Sequence, residues 1–313
     1  MHCGSGFATG TQYTIYYSKY GWLALIMPIF TWALMGIAFY FIFEYSRVTK
    51  VTSYKDYASR VFLKRFSIVF VILLDLCSLF AQILGASGIL AGSGSLFQDY
   101  NVNYWVGVAA AGAVVLGMVI FGAWAMMRYS TYLTLGLLIC ILILGIVGTA
   151  QNWTNLVQVI VNRENDGGSF WNALGSAMTY AGVQIGSMFA VCSMAPELKN
   201  NKESAKTAFG GALLNLIMLQ ILGLVMIANY PGINSETLPV LSAMTAINVP
   251  ILRHIYAVML FLALVSTGYG YLSKMAWPPG ILPAVIILPI RLYYLKKSNG
   301  KYDYPAKAEE AQG

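Results

Sequence analysis

Long apolar runs, each bounded by a short polar segment, narrow what this chain can fold into more than any other feature. Seven of them stand at 21–45, 66–90, 104–127, 129–150, 172–194, 208–229 and 251–273. Each approaches or exceeds the roughly 20 residues that carry a helix across a bilayer core. An eighth run, 280–295, is short and contains Pro283 and Pro289. Residues 7–20 are aromatic and polar, more amphipathic than spanning. Hydrophobic residues make up 58% of the chain and charged residues 10%, where a soluble domain carries about 25% charged. Such a chain has too little polar surface to cover itself, so the sequence predicts an all-α, polytopic integral membrane protein. It reads as one transmembrane domain, 1–297, followed by a polar tail, 298–313. No basic region precedes a short apolar core at the start, so no cleavable signal peptide is expected.

The net charge of +7 sits between the apolar runs rather than on a nucleic-acid face. The segment 46–65 holds Arg47, Lys50, Lys55, Arg60, Lys64 and Arg65, and the segment 195–207 holds Lys199, Lys202 and Lys206. Arg128 falls in the tight turn expected between 104–127 and 129–150. The alternate loops 91–103, 151–171 and 230–250 contain one basic residue, Arg163. The positive-inside rule places 46–65, 128 and 195–207 in the cytoplasm, with the N-terminus outside and the run 21–45 entering from there. Asn152-Trp153-Thr154 on the outer side matches a glycosylation sequon, a three-residue pattern of almost no weight.

Chemistry-bearing residues are sparse. Cys3, Cys77, Cys140 and Cys192 lie in apolar stretches without paired spacing, which argues against a disulfide framework or a zinc site. His2 and His254 are isolated. No paired catalytic carboxylates, Ser/His pair, metal cluster or phosphate loop stands out, so an enzyme is not expected. Polar residues within the runs are more informative. Ser67, Asp75, Ser78, Gln82 and Gly85 share one helical face, as do Asn172, Ser176, Thr179, Val183 and Ser187. Such stripes face a helix bundle or a wet cavity, where small residues also serve close packing. A carboxyl group at the depth of Asp75 costs several kcal/mol unless paired or protonated. Ion coupling or proton handling is one reading of Asp75, a buried structural hydrogen bond the other. Gly182 and Gly186 weaken the run 172–194 and predict a local break. Gly4-Ser5-Gly6 has the same character. Unwound helices that face a cavity offer backbone donors to a carboxylate and carbonyls to a cation. Ser266 and Thr267 add adjacent hydroxyls, suited to a sodium shell or to helix packing.

Together, GSGFATG with its amphipathic continuation, TYAGVQIGSM followed by PELKNNKES, and LVSTG resemble the YkvI-type bacterial membrane proteins. These are regarded as amino-acid permeases of the amino acid–polyamine–organocation superfamily. The resemblance covers about residues 4–275, with 276–297 similar to the family's last helix. It implies the LeuT-like fold: two inverted five-helix repeats whose first and sixth helices break around the substrate. On that plan Gly4, Ser5 and Gly6 fall on the first break, and Tyr180, Ala181, Gly182 and Gln184 on the sixth. Ser266 and Thr267, with carbonyls near Cys3, fall where sodium-coupled relatives hold the ion. Residues 235–247 match the outer helix that caps the cavity. Relative to the plan, the inner half of the first helix and a ninth span between 273 and 280 are missing. The basic tail (Arg291, Lys296, Lys297, Lys301, Lys307) fits the cytoplasm if 280–295 turns back within the membrane or an odd number of spans is missing before it, and one lost ninth span agrees with the family's plan.

The implied function is secondary transport of an amino acid or similar zwitterion across a bacterial cytoplasmic membrane, coupled to sodium or protons. The implied partners are that small solute and the lipid bilayer, with no nucleic acid, no cofactor beyond a sodium ion, and an undetermined oligomeric state. The alternatives are a seven-helix sensor or partner subunit without transport, and an inactive fragment of a transporter gene, in which case the chain as written does not transport.

The orientation is testable with single cysteines at Lys55 and Gln98 in a cysteine-free background. In intact cells position 98 is expected to react with an impermeant thiol reagent, and position 55 only after permeabilisation. The opposite pattern reverses the topology.

Overall fold

A computed structural model of the chain describes residues 5–51, 64–121, 124–185, 195–247 and 249–275. They are almost wholly helical, with no strand among them. In order the helices are α1 (Ser5–Thr9), α2 (Thr11–Tyr16), a 3-10 segment (Ser18–Leu25), α3 (Met27–Thr49), α4 (Lys64–Asp99) and α5 (Tyr104–Phe121). There follow α6 (Trp124–Gln151), α7 (Trp153–Val161), α8 (Phe170–Ile185), α9 (Asn201–Ala228), α10 (Pro239–Ala246) and α11 (Pro250–Met275). Among the described residues, α3, α9 and residues 250–269 of α11 are long and apolar enough to cross a membrane. Residues 135–151 of α6 and α7 make a fourth candidate, bent by 76°. These helices mark a membrane-embedded protein.

The chain divides into two compact units, residues 1–78 with 132–263, and residues 79–131 with 264–313. In the first, α3 packs along α9 and α8. Met35, Phe39 and Ile42 of α3 meet Ala181 of α8 and Ala208 and Ala212 of α9. Gly36 lets the helices close: a Cβ there would overlap the Phe209 ring. Trp32 Nε1 donates to the Phe209 carbonyl at 3.4 Å. The outward faces remain apolar, with Phe41, Leu214 and Val258 more than 60% exposed, as suits contact with lipid tails rather than water. In the second unit the end of α4 and the start of α5 form a close hairpin. Gly94 lies against the Tyr104 ring and Gly107 against Phe97 and the Ser93 carbonyl. Gly268 of α11 packs on Val115 and Ile89.

Several boundaries differ from those read in the sequence. Arg128 lies inside α6, not in a turn, because no glycine or proline between 126 and 131 interrupts the helix. Residues 201–207 are the first turns of α9 rather than loop. The Asn200 side chain accepts the Glu203 N–H at 2.9 Å while Glu203 Oε2 accepts the Lys199 N–H at 2.7 Å, which satisfies donors at the helix start. Residues 91–99 continue α4. The α-helix in the run 21–45 begins only at Met27, because Gly21 has φ +50° and ψ −123°, a conformation closed to side chains. A Cβ at Gly21 would also run into the Glu164 carbonyl.

Gly36→Val is expected to destabilise the protein by about 1–3 kcal/mol through overpacking. Phe209→Ala in the same chain should recover part of the loss. Thermal unfolding of the two single variants and the double variant in detergent measures this; additive losses would show that the two positions do not couple.

Candidate functional site

An irregular backbone inside a membrane protein has to find partners for the groups that a helix would satisfy. Residues 5–26 are irregular. Gly10, at φ +84°, ends α1, and Gly21 interrupts the 3-10 segment. Side chains cap the carbonyls left over. Tyr256 of α11 donates to Ala8 and Ser176 of α8 to Tyr16 (2.8 Å). Gln220 of α9 donates to Leu25 (2.8 Å), and Tyr13 reaches within the segment to Ala24 (3.0 Å). Thr9 and Thr11 both donate toward the Gly6 carbonyl, at 3.2 and 3.5 Å.

These contacts hold a cluster of tyrosines against α8. The rings of Tyr13 and Tyr17 lie 5.3 Å apart, and Tyr16 and Tyr17 meet Tyr180 edge-on at 5.5 and 5.3 Å. Edge-to-face contact sets the positive rim of one ring on the negative face of another. The Tyr180 hydroxyl accepts Gln184 Nε2 at 2.6 Å and Asn215 Nδ2 of α9 at 3.4 Å. The Thr31 hydroxyl donates to the Ala177 carbonyl at 3.3 Å and lies 2.7 Å from the Tyr17 hydroxyl, which therefore donates to it. Tyr17, Thr31, Tyr180 and Asn215 are all buried.

The cluster contains hydroxyls, amides and aromatic faces and no charged side chain. Amides and hydroxyls can both donate and accept, and ring faces attract an ammonium group. A buried site without a compensating charge disfavours a ligand of net charge. This chemistry suits a neutral or zwitterionic solute.

The structure brings Tyr180 and Gln184 together, with Ala181 buried beside them against α3 and α9. No break is found at Gly182: α8 runs unbroken from Phe170 to Ile185, and the second glycine of the expected break, Gly186, lies beyond that stretch. A glycine that keeps its helical bonds avoids orphaned backbone groups, which outweighs its modest propensity penalty. Gly182 is exposed, with open space where a Cβ would stand. The stripe read along this helix divides: Ser176 bonds inward, whereas Asn172, Thr179 and Val183 are exposed. Ser187 and Gly186, like Cys3 and Gly4, lie outside the described residues. Ser5 opens the described part of α1, Gly6 packs against Gln12, and the described segment is interrupted at Gly10. Asp75 is half-buried on the portion of α4 in the first unit. Ser266 and Thr267 are half-buried on α11 in the second unit. Residues 239–246 of the expected capping segment form α10, which is largely buried.

Sequence reasoning missed Tyr16, Tyr17, Thr31, Asn215 and Gln220. Asn215 and Gln220 carried a usable signal, since each is an amide inside the apolar run 208–229. Comparison of the chain with protein-family models, with curated proteins and with solved structures finds no match.

Gln220→Leu and Ser176→Ala each leave a backbone carbonyl without its side-chain donor. Each is expected to cost about 1–3 kcal/mol, read as a lower thermal midpoint in detergent, whereas Thr179→Ala on the exposed face should change it little. Equal effects at all three positions would refute the capping role.

Proposed function

We propose that this chain is a secondary transporter for an amino acid or similar small zwitterion, built on the LeuT-like plan and set in a bacterial cytoplasmic membrane. One observation carries the proposal: an interrupted N-terminal segment meets Tyr180, itself bonded to Gln184, in a largely buried cluster of aromatic, hydroxyl and amide groups. The YkvI-type resemblance supports the same reading. Substrate binds beside Tyr180, Ala181, Gly182 and Gln184, opposite the segment that begins with Gly4, Ser5 and Gly6. Coupling uses sodium at Ser266 and Thr267 with carbonyls near Cys3, or protons at Asp75. The basic segments 46–65 and 195–207 face the cytoplasm, and the spans number seven or more.

A different reading, a membrane sensor or partner subunit that binds a ligand without moving it, draws on the unbroken course of α8 through Gly182. Purified protein separates the two. Binding of labelled amino acids with uptake into proteoliposomes supports transport; binding without uptake supports the sensor.

In either case Gln184→Leu and Tyr180→Phe are expected to weaken binding about tenfold or more. Ser266→Ala with Thr267→Val should remove sodium stimulation if sodium is the coupling ion; Asp75→Asn should remove pH dependence if protons are. Failure of every amino acid in the panel to bind, or unchanged binding in Gln184→Leu, removes the site from this cluster.

A further inference from the structure

The outer face of the first unit carries an apolar groove of about 330 Å³. Its walls are Leu142, Ile146 and Ala150 of α6 and Ile221 and Leu224 of α9, with Trp153 of α7 at one end. Gly145 lies on its floor, where any Cβ would press on Ile221. Ile146 and Trp153 are 72% and 59% exposed. From Leu142 to Ala150 the groove follows α6 for about 12 Å at 1.5 Å per residue. Half of a hydrocarbon core about 30 Å thick is about 15 Å. The groove therefore runs most of the depth of one leaflet.

The end at α7 is built differently. After the 76° bend α7 lies across the end of the span rather than continuing it. Asn152 Nδ2 donates to Asn229 Oδ1 at 2.9 Å, and Asn155 Nδ2 donates to the carbonyls of Ala228 and Tyr230 at 2.9 and 3.0 Å. These amides pin α7 to the end of α9. Leu156 and Val159 are buried, Val157, Ile160 and Val161 are exposed, and Thr154 and Gln158 are exposed along one edge of that outer face. A helix with one lipid-facing side and one polar edge lies in the interface, and tryptophan favours that level. The Thr149 hydroxyl, one turn inside this end, is buried and has no hydrogen-bond partner among the described residues. A hydroxyl left unpaired in an apolar setting costs free energy. Threonine has two accessible χ1 wells in a helix, so the side chain can turn its hydroxyl to a ligand.

We infer that this groove holds one acyl chain of a bilayer phospholipid from the leaflet on the α7 side. The methylenes lie between α6 and α9, Trp153 packs on the glycerol end, and Thr149 donates to an ester carbonyl. Length, apolar lining, a single unpaired donor near the interfacial end and a flanking tryptophan all fit that ligand.

The test uses the full chain in phosphatidylcholine vesicles doped with phosphatidylcholine that carries a diazirine within one acyl chain. After illumination, mass spectrometry maps the adducts. The inference expects adducts on 142–153 and 221–224 at least fivefold above those on the exposed face of α3 around Phe41. Ala150→Phe, at an exposed position, should abolish the groove adducts and leave those on α3 unchanged. Thr149→Val should lower groove adducts roughly fivefold, the worth of one hydrogen bond. An unchanged thermal midpoint for both variants shows that they fold. Even labelling of all exposed faces, insensitive to Ala150→Phe, overturns the inference in favour of general lipid contact. A groove protected from labelling in a dimer that Ala150→Phe dissociates overturns it in favour of a second copy.

Discussion

The structure depends on the satisfaction of carbonyls that no helix claims. Residues 5–26 abandon regular helix at Gly10 and Gly21. In hydrocarbon this would leave backbone groups unpaired at several kcal/mol each. Side chains from three later helices, together with Tyr13 of the segment itself, supply the donors. Each donor sits on a helix that also packs against its neighbours, so the segment and the bundle fix each other's position.

That arrangement explains why the polar groups of the first unit gather where they do. Once Tyr16 and Leu25 are held by Ser176 and Gln220, the rings of Tyr16 and Tyr17 have to lie against Tyr180. Thr31 then partners the Tyr17 hydroxyl, and Asn215 adds a second donor to the Tyr180 hydroxyl beside Gln184. Further along α3, small residues do the reverse work. Gly36, Ala181, Ala208 and Ala212 remove side-chain volume so that helices approach closely, which is how packing substitutes for the hydrophobic effect between spans.

Helix positions were legible because apolar runs in a membrane leave the chain little alternative. The runs 208–229 and 251–273 lie almost wholly within α9 and α11, whereas 104–127 is divided between α5, which takes 104–121, and the start of α6. Local exceptions were less so. Gly182 looked like a break, yet α8 stays helical there, because a glycine surrounded by good helical neighbours has no better partner for its backbone. The start of α9 was legible and was overlooked: Asn200 and Glu203 have capping-box spacing. The tyrosine cluster was beyond local reading. Several of its contacts join residues 146 to 195 positions apart, as Thr31 with Ala177 and Gln220 with Leu25 illustrate. Periodicity says which side of a helix is polar but not which distant side it will meet.

The same long-range caps set an order of events during synthesis. The irregular segment leaves the ribosome before the side chains that cap it, and Tyr256, which caps Ala8, follows 248 residues later. At about 5–20 residues per second, that is a wait of about 12–50 s. Throughout it the Ala8 carbonyl needs water, the insertion machinery or a temporary partner, as those of Tyr16 and Leu25 do for shorter waits. Residues 5–26 are therefore made well before they can reach their native place, which waits on helices that follow them.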